Sequence, residues 1–304
     1  LEEARLVMGT VATVRVWVTD ASAAPAAIDR AFDSFDRVDS LMSTWREDSA
    51  LSGLNRAEPG RWVEVGVEVA HVLAAALATA EASEGAFDPT VLPLMFLWGF
   101  RGDGARVLSR EEIGICLEAV GHEALEIEEA AGRVRLTRPG MGVDLGGIAK
   151  GYALDVAADA LREAGATSGY LDLGGNILVF GEGPAHQVGV LGPEGDEILA
   201  SLPLVDGAVA TSGQYENYLL IEGVLHGHIL DPRSGRPVPS GLSATVLADR
   251  AMTADALATA AVVLGPEKGL RLLESRPGVE GVLILRGEDG GARLLSTSGL
   301  VDTQ

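Results

Sequence analysis

The amino-acid sequence predicts an α+β protein, a largely antiparallel mixed sheet with helices packed on it. Three observations predict it. Apolar residues recur at helical spacing in several separate stretches. Other stretches are short, rich in Val, Ile and Thr, and bounded by Gly, Pro or Asp. The two kinds intermix with no regular strand–helix–strand repeat, which argues against a parallel sheet.

Taken in chain order, residues 5–19 read as a strand, Val- and Thr-rich with partial alternation. Ile28, Phe32, Phe35, Val38 and Met42 then lie near helical spacing. Residues 67–82 form an Ala-rich helix that ends before Gly85. Ser109 and Glu112 have the spacing of a capping box and open a further helix. A short strand covers 133–137, and a helix spans 146–164 up to Gly165. Residues 170–173 and 177–180 read as a hairpin or bent strand around Gly174-Gly175. Several short strands follow between 187 and 248. A helix covers 254–264, Gly265-Pro266 breaks it, residues 268–274 resume it, and 282–285 is a closing strand. With no solenoid-period repeat and no low-complexity linker, the chain reads as a single domain over 1–304.

Composition narrows the function. Apolar residues make up 47% of 304, enough for a substantial core. The net charge of −21, from 23 Lys+Arg against 44 Asp+Glu, repels phosphate backbones and anionic lipid and argues against nucleic-acid binding. The only cysteine, Cys116, lies on the helix opened by Ser109 and reads as a buried structural thiol. Residues 91–100 are the most apolar run, but they are too few to span a bilayer and include Pro93. The chain opens Leu1-Glu2-Glu3 without methionine, so a trimmed product with a removed targeting segment is expected.

Four segments, with Trp45 and residues 210–215 besides, are candidates for chemistry. In Asp144-Leu-Gly-Gly147-Ile-Ala-Lys150-Gly151 an acid leads into two glycines at a helix start, with a lysine one turn in. The glycines let a ligand approach the backbone, and the free amides and Lys150 suit a phosphate; a plain strand-to-helix turn reads equally well. Asp255 and Thr259 stand four apart on a helix, where two hard oxygen ligands suit Mg²⁺ completed by phosphate and water. Locally, a Thr259 hydroxyl bonded back to its own helix explains them as well. His226, His228 and Asp231 fit a transition-metal site, a catalytic histidine beside a turn, or two histidines next to a β-turn. In Gly85-Ala86-Phe87-Asp88-Pro89, Phe87 can stack on a ring and Asp88 can bond a base edge, or the segment simply stops a helix. Trp45 can cover an aromatic ligand, or merely pack. Residues 210–215 form a small-residue turn with two hydroxyls, ending at Tyr215.

The order of these segments resembles the ApbE family, the FAD:protein FMN transferases. Met8-Gly-Thr, Met42-Ser-Thr-Trp45, Ser52-x-x-Asn55, Ala86-Phe-Asp-Pro89, residues 144–151, Thr211-Ser-Gly213, residues 228–235 and Asp255-Ala-Leu-Ala-Thr259 run in the family's sequence from Met8 to Gly265. The resemblance implies transfer of FMN from FAD to a Thr or Ser hydroxyl of a respiratory-type flavoprotein, with magnesium and release of AMP. By position, Asp255, Thr259 and the Gly147 carbonyl match the family's magnesium ligands. Met8, Trp45, Ala86, Phe87, Asp88, Asp144, Lys150 and Leu230 fall where the family contacts FAD, and His228 matches its proposed base. The resemblance also implies an ApbE-like fold and an exported or periplasmic enzyme, lipid-anchored in full-length form; the low cysteine content fits the cytoplasm too. The same site suits a magnesium-dependent FAD pyrophosphatase or a non-enzymatic flavin-binding protein. Two positions depart from the family pattern. Trp45 stands where tyrosine is frequent, and Gly227 where a second histidine is frequent.

Overall fold

A computed structural model describes residues 1–102, 104–192, 197–214, 218–287 and 291–300. An eight-stranded sheet organises it. Its strands are β1 (Glu2–Val7), β2 (Thr10–Val18), β3 (Ala166–Leu173), β4 (Asn176–Gly181), β5 (Gly207–Gly213), β6 (Leu242–Ala248), β7 (Glu280–Arg286) and β8 (Ala292–Ser296). Their order across the sheet is their order along the chain. Every neighbouring pair is antiparallel, so the largely antiparallel expectation holds.

One face of the sheet is apolar because alternate residues point to it. Ala12, Val14 and Val16 of β2 and Leu171 and Leu173 of β3 are fully buried there. Helices α1 (Ala24–Met42), α2 (Val67–Ala82), α3 (Ala149–Glu163) and α4 (Ala251–Leu264) share that core. Ile28, Phe32, Phe35, Val38 and Met42 of α1 are all buried, as their spacing predicts. The opposite face is covered by the hairpin of His186–Leu191 and Ile198–Leu204, where Val188 and Leu204 pack on Val179 and Val209.

Several boundaries differ from the sequence reading. Residues 5–19 are two strands, because Met8 and Gly9 turn the chain at φ 50° and 75°. Two successive left-handed residues make the hairpin turn whose usual signature is Asn-Gly, a signature absent here. The helix read from 146 starts at Ala149, and residues 145–148 form a tight turn instead. Pro266 opens a helix, α5 (Pro266–Glu274), since a missing N–H costs nothing in a first turn. Helix α4 begins three residues early, at Ala251, because the buried Asp155 carboxylate of α3 accepts the Ala251 and Met252 amides. The capping box of Ser109 and Glu112 is formed in both directions, and opens the helix Arg110–Leu117. Cys116 on that helix is half-buried, and burial raises its thiol. Tyr215 lies outside the described residues. Among those described, no helix is long and apolar enough to cross a membrane.

Candidate active site

A cavity of about 1260 Å³ opens beside the N-terminal ends of α3 and α4. Its wall includes Met8, Trp45, Ala86, Phe87, Asp88 and Asp144. It also includes Gly147, Lys150, His228, Leu230, Asp255 and Thr259. The structure thus brings together every site residue that the sequence singles out by family position.

The glycine turn and α4 meet closely. A Cβ at Gly147 would stand 3.1 Å from Thr259 Oγ1 and 3.2 Å from the Phe87 ring. Ser212 and Thr259 share a hydroxyl hydrogen bond of 3.1 Å. Asp255, only 4% exposed, accepts the Gly151 amide at 2.9 Å. A Cβ at Gly151 would overlap the Ala251 carbonyl, so the glycine is what lets α3 and α4 come this near. The result is a small patch of oxygen donors with a single carboxylate. Among the described residues no three His, Cys, Asp or Glu side chains form a metal cluster. An all-oxygen set with one carboxylate fits a hard cation that keeps water and substrate oxygens, as magnesium does. Lys150 sits beside Asp172, whose carboxyl is raised by burial, with the Gly175 amide and the Lys150 charge opposing that rise.

Asp144 is the hub of the neighbouring wall. Its Oδ2 accepts from Thr44 Oγ1 at 2.9 Å and Arg101 Nη2 at 2.8 Å, and its Oδ1 accepts the Gly146 amide at 2.8 Å. One carboxylate therefore fixes the start of the glycine turn and the residue before Trp45. Asn55 holds the preceding residue through both of its amide atoms, to Val143 N at 2.7 Å and Val143 O at 2.9 Å. Trp45 is 72% exposed, with the Arg101 guanidinium 3.8 Å from its ring centroid.

The histidine segment resolves differently from its metal reading. His226 packs its ring against Trp98, with centroids 5.4 Å apart, whereas His228 lines the cavity. Asp231 is spent on its own turn, accepting the Arg233 amide at 3.0 Å and pairing with Arg233 Nε at 2.8 Å. Among the described residues, the transition-metal site of His226, His228 and Asp231 is not assembled. Gln214 secures the strand after His228: its amide bonds Ile229 O and Val238 O at 2.9 Å and accepts Ile229 N at 3.1 Å. A Cβ at position 227 would overlap Gln214 Oε1, which accounts for the glycine there.

Asp88 also has a structural task. Its Oδ1 accepts from the Thr90 amide and hydroxyl, and its Oδ2 from the His122 amide and ring. With both oxygens engaged, it shapes the wall more than it offers a free acceptor. Phe87 and Ala86 are buried, the Phe87 ring lying against the glycine turn. Arg101, Asn55 as a clamp, Gln214 and the Asp155 cap escape sequence reading. Of these, Asn55 lies in a segment with a recognisable pattern, and Gln214 directly follows one.

A model of the ApbE family matches residues 8–283. The FAD:protein FMN transferase of Vibrio cholerae is 34% identical over 290 residues, covering 92% of this chain and 85% of that protein. The transferase of the same description from Treponema pallidum is 34% identical over 319 residues, covering 98% and 87%. Among solved structures, the ApbE protein of Thermotoga maritima superposes with a TM-score of 0.88 at 34% identity, covering 99% of this chain and 97% of that one. The apo flavinyl transferase ApbE of Pseudomonas stutzeri gives 0.86 at 31% identity, with 99% and 95% covered.

Proposed function

The chain belongs to the ApbE family, and on that premise we propose that it is a magnesium-dependent enzyme that transfers FMN from FAD to a Thr or Ser hydroxyl of an acceptor protein, releasing AMP. The observation that carries the reading is that Gly147 lies against Thr259, with Asp255 one turn before Thr259, all three lining a cavity large enough for a dinucleotide.

In this reading the acceptor oxygen forms a bond to the FMN phosphorus as the P–O bond to AMP breaks. His228 takes the hydroxyl proton, and the AMP phosphate leaves with the former bridging oxygen. Asp255, Thr259 and the Gly147 carbonyl would hold magnesium. Bound there, the ion would supply Lewis-acid polarisation of the pyrophosphate. Lys150 neutralises and orients phosphate oxygens. Trp45 offers its open face to the flavin ring, and the Phe87 segment walls the dinucleotide.

The test is to mix the protein with FAD, Mg²⁺ and a candidate acceptor domain, and to weigh the acceptor by mass spectrometry. An acceptor heavier by one FMN, with AMP released stoichiometrically, is expected. Free FMN and AMP with every acceptor unlabelled would replace the transferase by a pyrophosphatase. Intact FAD would sink both. In the cell, we place the enzyme outside the cytoplasm, tested by fractionating the full-length protein.

A further inference from the structure

Arg101 is an anomaly in the cavity wall. The sequence before it closes a helix: Gly99 is left-handed at φ 86° after Leu92–Trp98, and the Arg101 amide bonds Met95 O at 3.1 Å. That fixes the backbone of Arg101 and aims its side chain along the wall. The side chain is 11% exposed. Nη2 pairs with Asp144, and the guanidinium plane lies over Trp45. Nε and Nη1 are buried, with no hydrogen-bond partner among the described residues.

A buried guanidinium is stable when its N–H groups are partnered, and guanidinium cannot shed its charge to escape the cost. Structural duty does not explain the two idle donors. Asp144 already has Thr44 and the Gly146 amide to hold it, so an ion pair alone would need no further donors. Nε and Nη1 lie on different edges of the guanidinium, so they ask for two separate acceptor atoms. Trp45, covered by Arg101 on one side, is still largely exposed and can take a flat ring.

We propose that Arg101 is a substrate-binding residue, donating from Nε and Nη1 to oxygen or ring-nitrogen acceptors of the flavin nucleotide while it steadies Trp45. The proposal rests on the reading of the cavity as a flavin-nucleotide site. It adds a contact outside the twelve residues assigned by family position. Arg101 acts in binding, before any bond is made or broken.

Equilibrium binding tests it without turnover. FAD, FMN, riboflavin and ADP are titrated into the wild-type chain, Arg101→Gln and Arg101→Lys, with flavin fluorescence and calorimetry as readouts and no acceptor protein present. Arg101→Gln weakens FAD binding about tenfold or more, the loss expected for a charged hydrogen bond. Arg101→Lys keeps the pair with Asp144 and so controls for folding, yet it still binds FAD more weakly than wild type because its donors are differently arranged. A parallel loss for riboflavin assigns the acceptors to the ring or its sugar alcohol. A loss confined to FMN and ADP assigns them to phosphate. FAD affinity within twofold of wild type in both variants overturns the proposal. A wild-type chain that binds none of the four ligands overturns the reading of the site itself, and this proposal with it.

Discussion

The Asp255 carboxylate accepts the Gly151 amide at 2.9 Å, which ties α4 to the first turn of α3. The Asp255 carboxylate and the end of the glycine turn therefore move as one body. Substituting Gly151→Ala forces a methyl group into the Ala251 carbonyl. We expect a loss of about 3 kcal/mol, at the upper end of overpacking costs, from chemical denaturation, with FMN transfer abolished. A variant as stable and active as wild type would show that the two helices separate freely.

Asp255→Asn keeps an oxygen for the Gly151 amide but removes the charge. The fold should persist, with a melting temperature close to wild type, while FMN transfer falls on the order of 100-fold or more. Rates measured over a magnesium series would decide the matter. Undiminished transfer would overturn the role proposed for Asp255 as a magnesium ligand.

Gly227 and Gln214 are a coupled pair. Gly227→Ala drives a methyl group into Gln214 Oε1 and should cost about 1–3 kcal/mol while displacing His228. Combined with Gln214→Ser the damage should be less than the sum of the two single changes, because the shortened side chain vacates the space. Strict additivity in a double-mutant cycle would contradict the overlap.

Asp155→Ala strips the cap from α4, exposing the Ala251 and Met252 amides to an apolar setting. A loss of about 1–2 kcal/mol is expected. Asp255 sits one turn along, so on the proposed magnesium reading a weaker magnesium dependence should accompany it. Magnesium dependence unchanged in a destabilised variant would limit Asp155 to stability.

Glu112 supplies a pH signature. Its bond with Arg106 and its capping of Ser109 hold its carboxyl down from 4.5 to about 2. Its folded pKa is the lower one, so its contribution is present above pH 4.5 and disappears as pH falls through about 2. Melting curves of wild type and Glu112→Gln should therefore differ at pH 6 and converge near pH 2. A difference that persists at pH 2 would assign the effect to packing.

Legibility in the sequence followed the range of the interaction. Helix α1 could be placed from Ile28 to Met42 because its burial repeats locally at the helical period. The capping box at Ser109 was equally plain, since both partners lie within four residues. The twelve family-matched positions could be listed because their segments keep a recognisable order, and the structure draws them into one cavity. Arg101, Gln214 and Asp155 left no such trace. Asp155 meets Ala251 from 96 residues away, and Asn55 meets Val143 from 88. A side chain bonded to distant backbone has no local period that announces its partner. The Met8-Gly9 turn failed for another reason, being a left-handed bend made with an untypical residue.

The wall of the cavity is recruited from positions spread between Met8 and Thr259. Its lining comes from separate stretches of the chain, so the binding surface is complete only in the whole tertiary structure. Ligand occupancy and global unfolding are then linked equilibria: at a ligand concentration about 100 times Kd, unfolding becomes about 2.7 kcal/mol harder. Screening small molecules by thermal shift would thus report on this pocket through the entire melting transition, including for substitutions far from its rim.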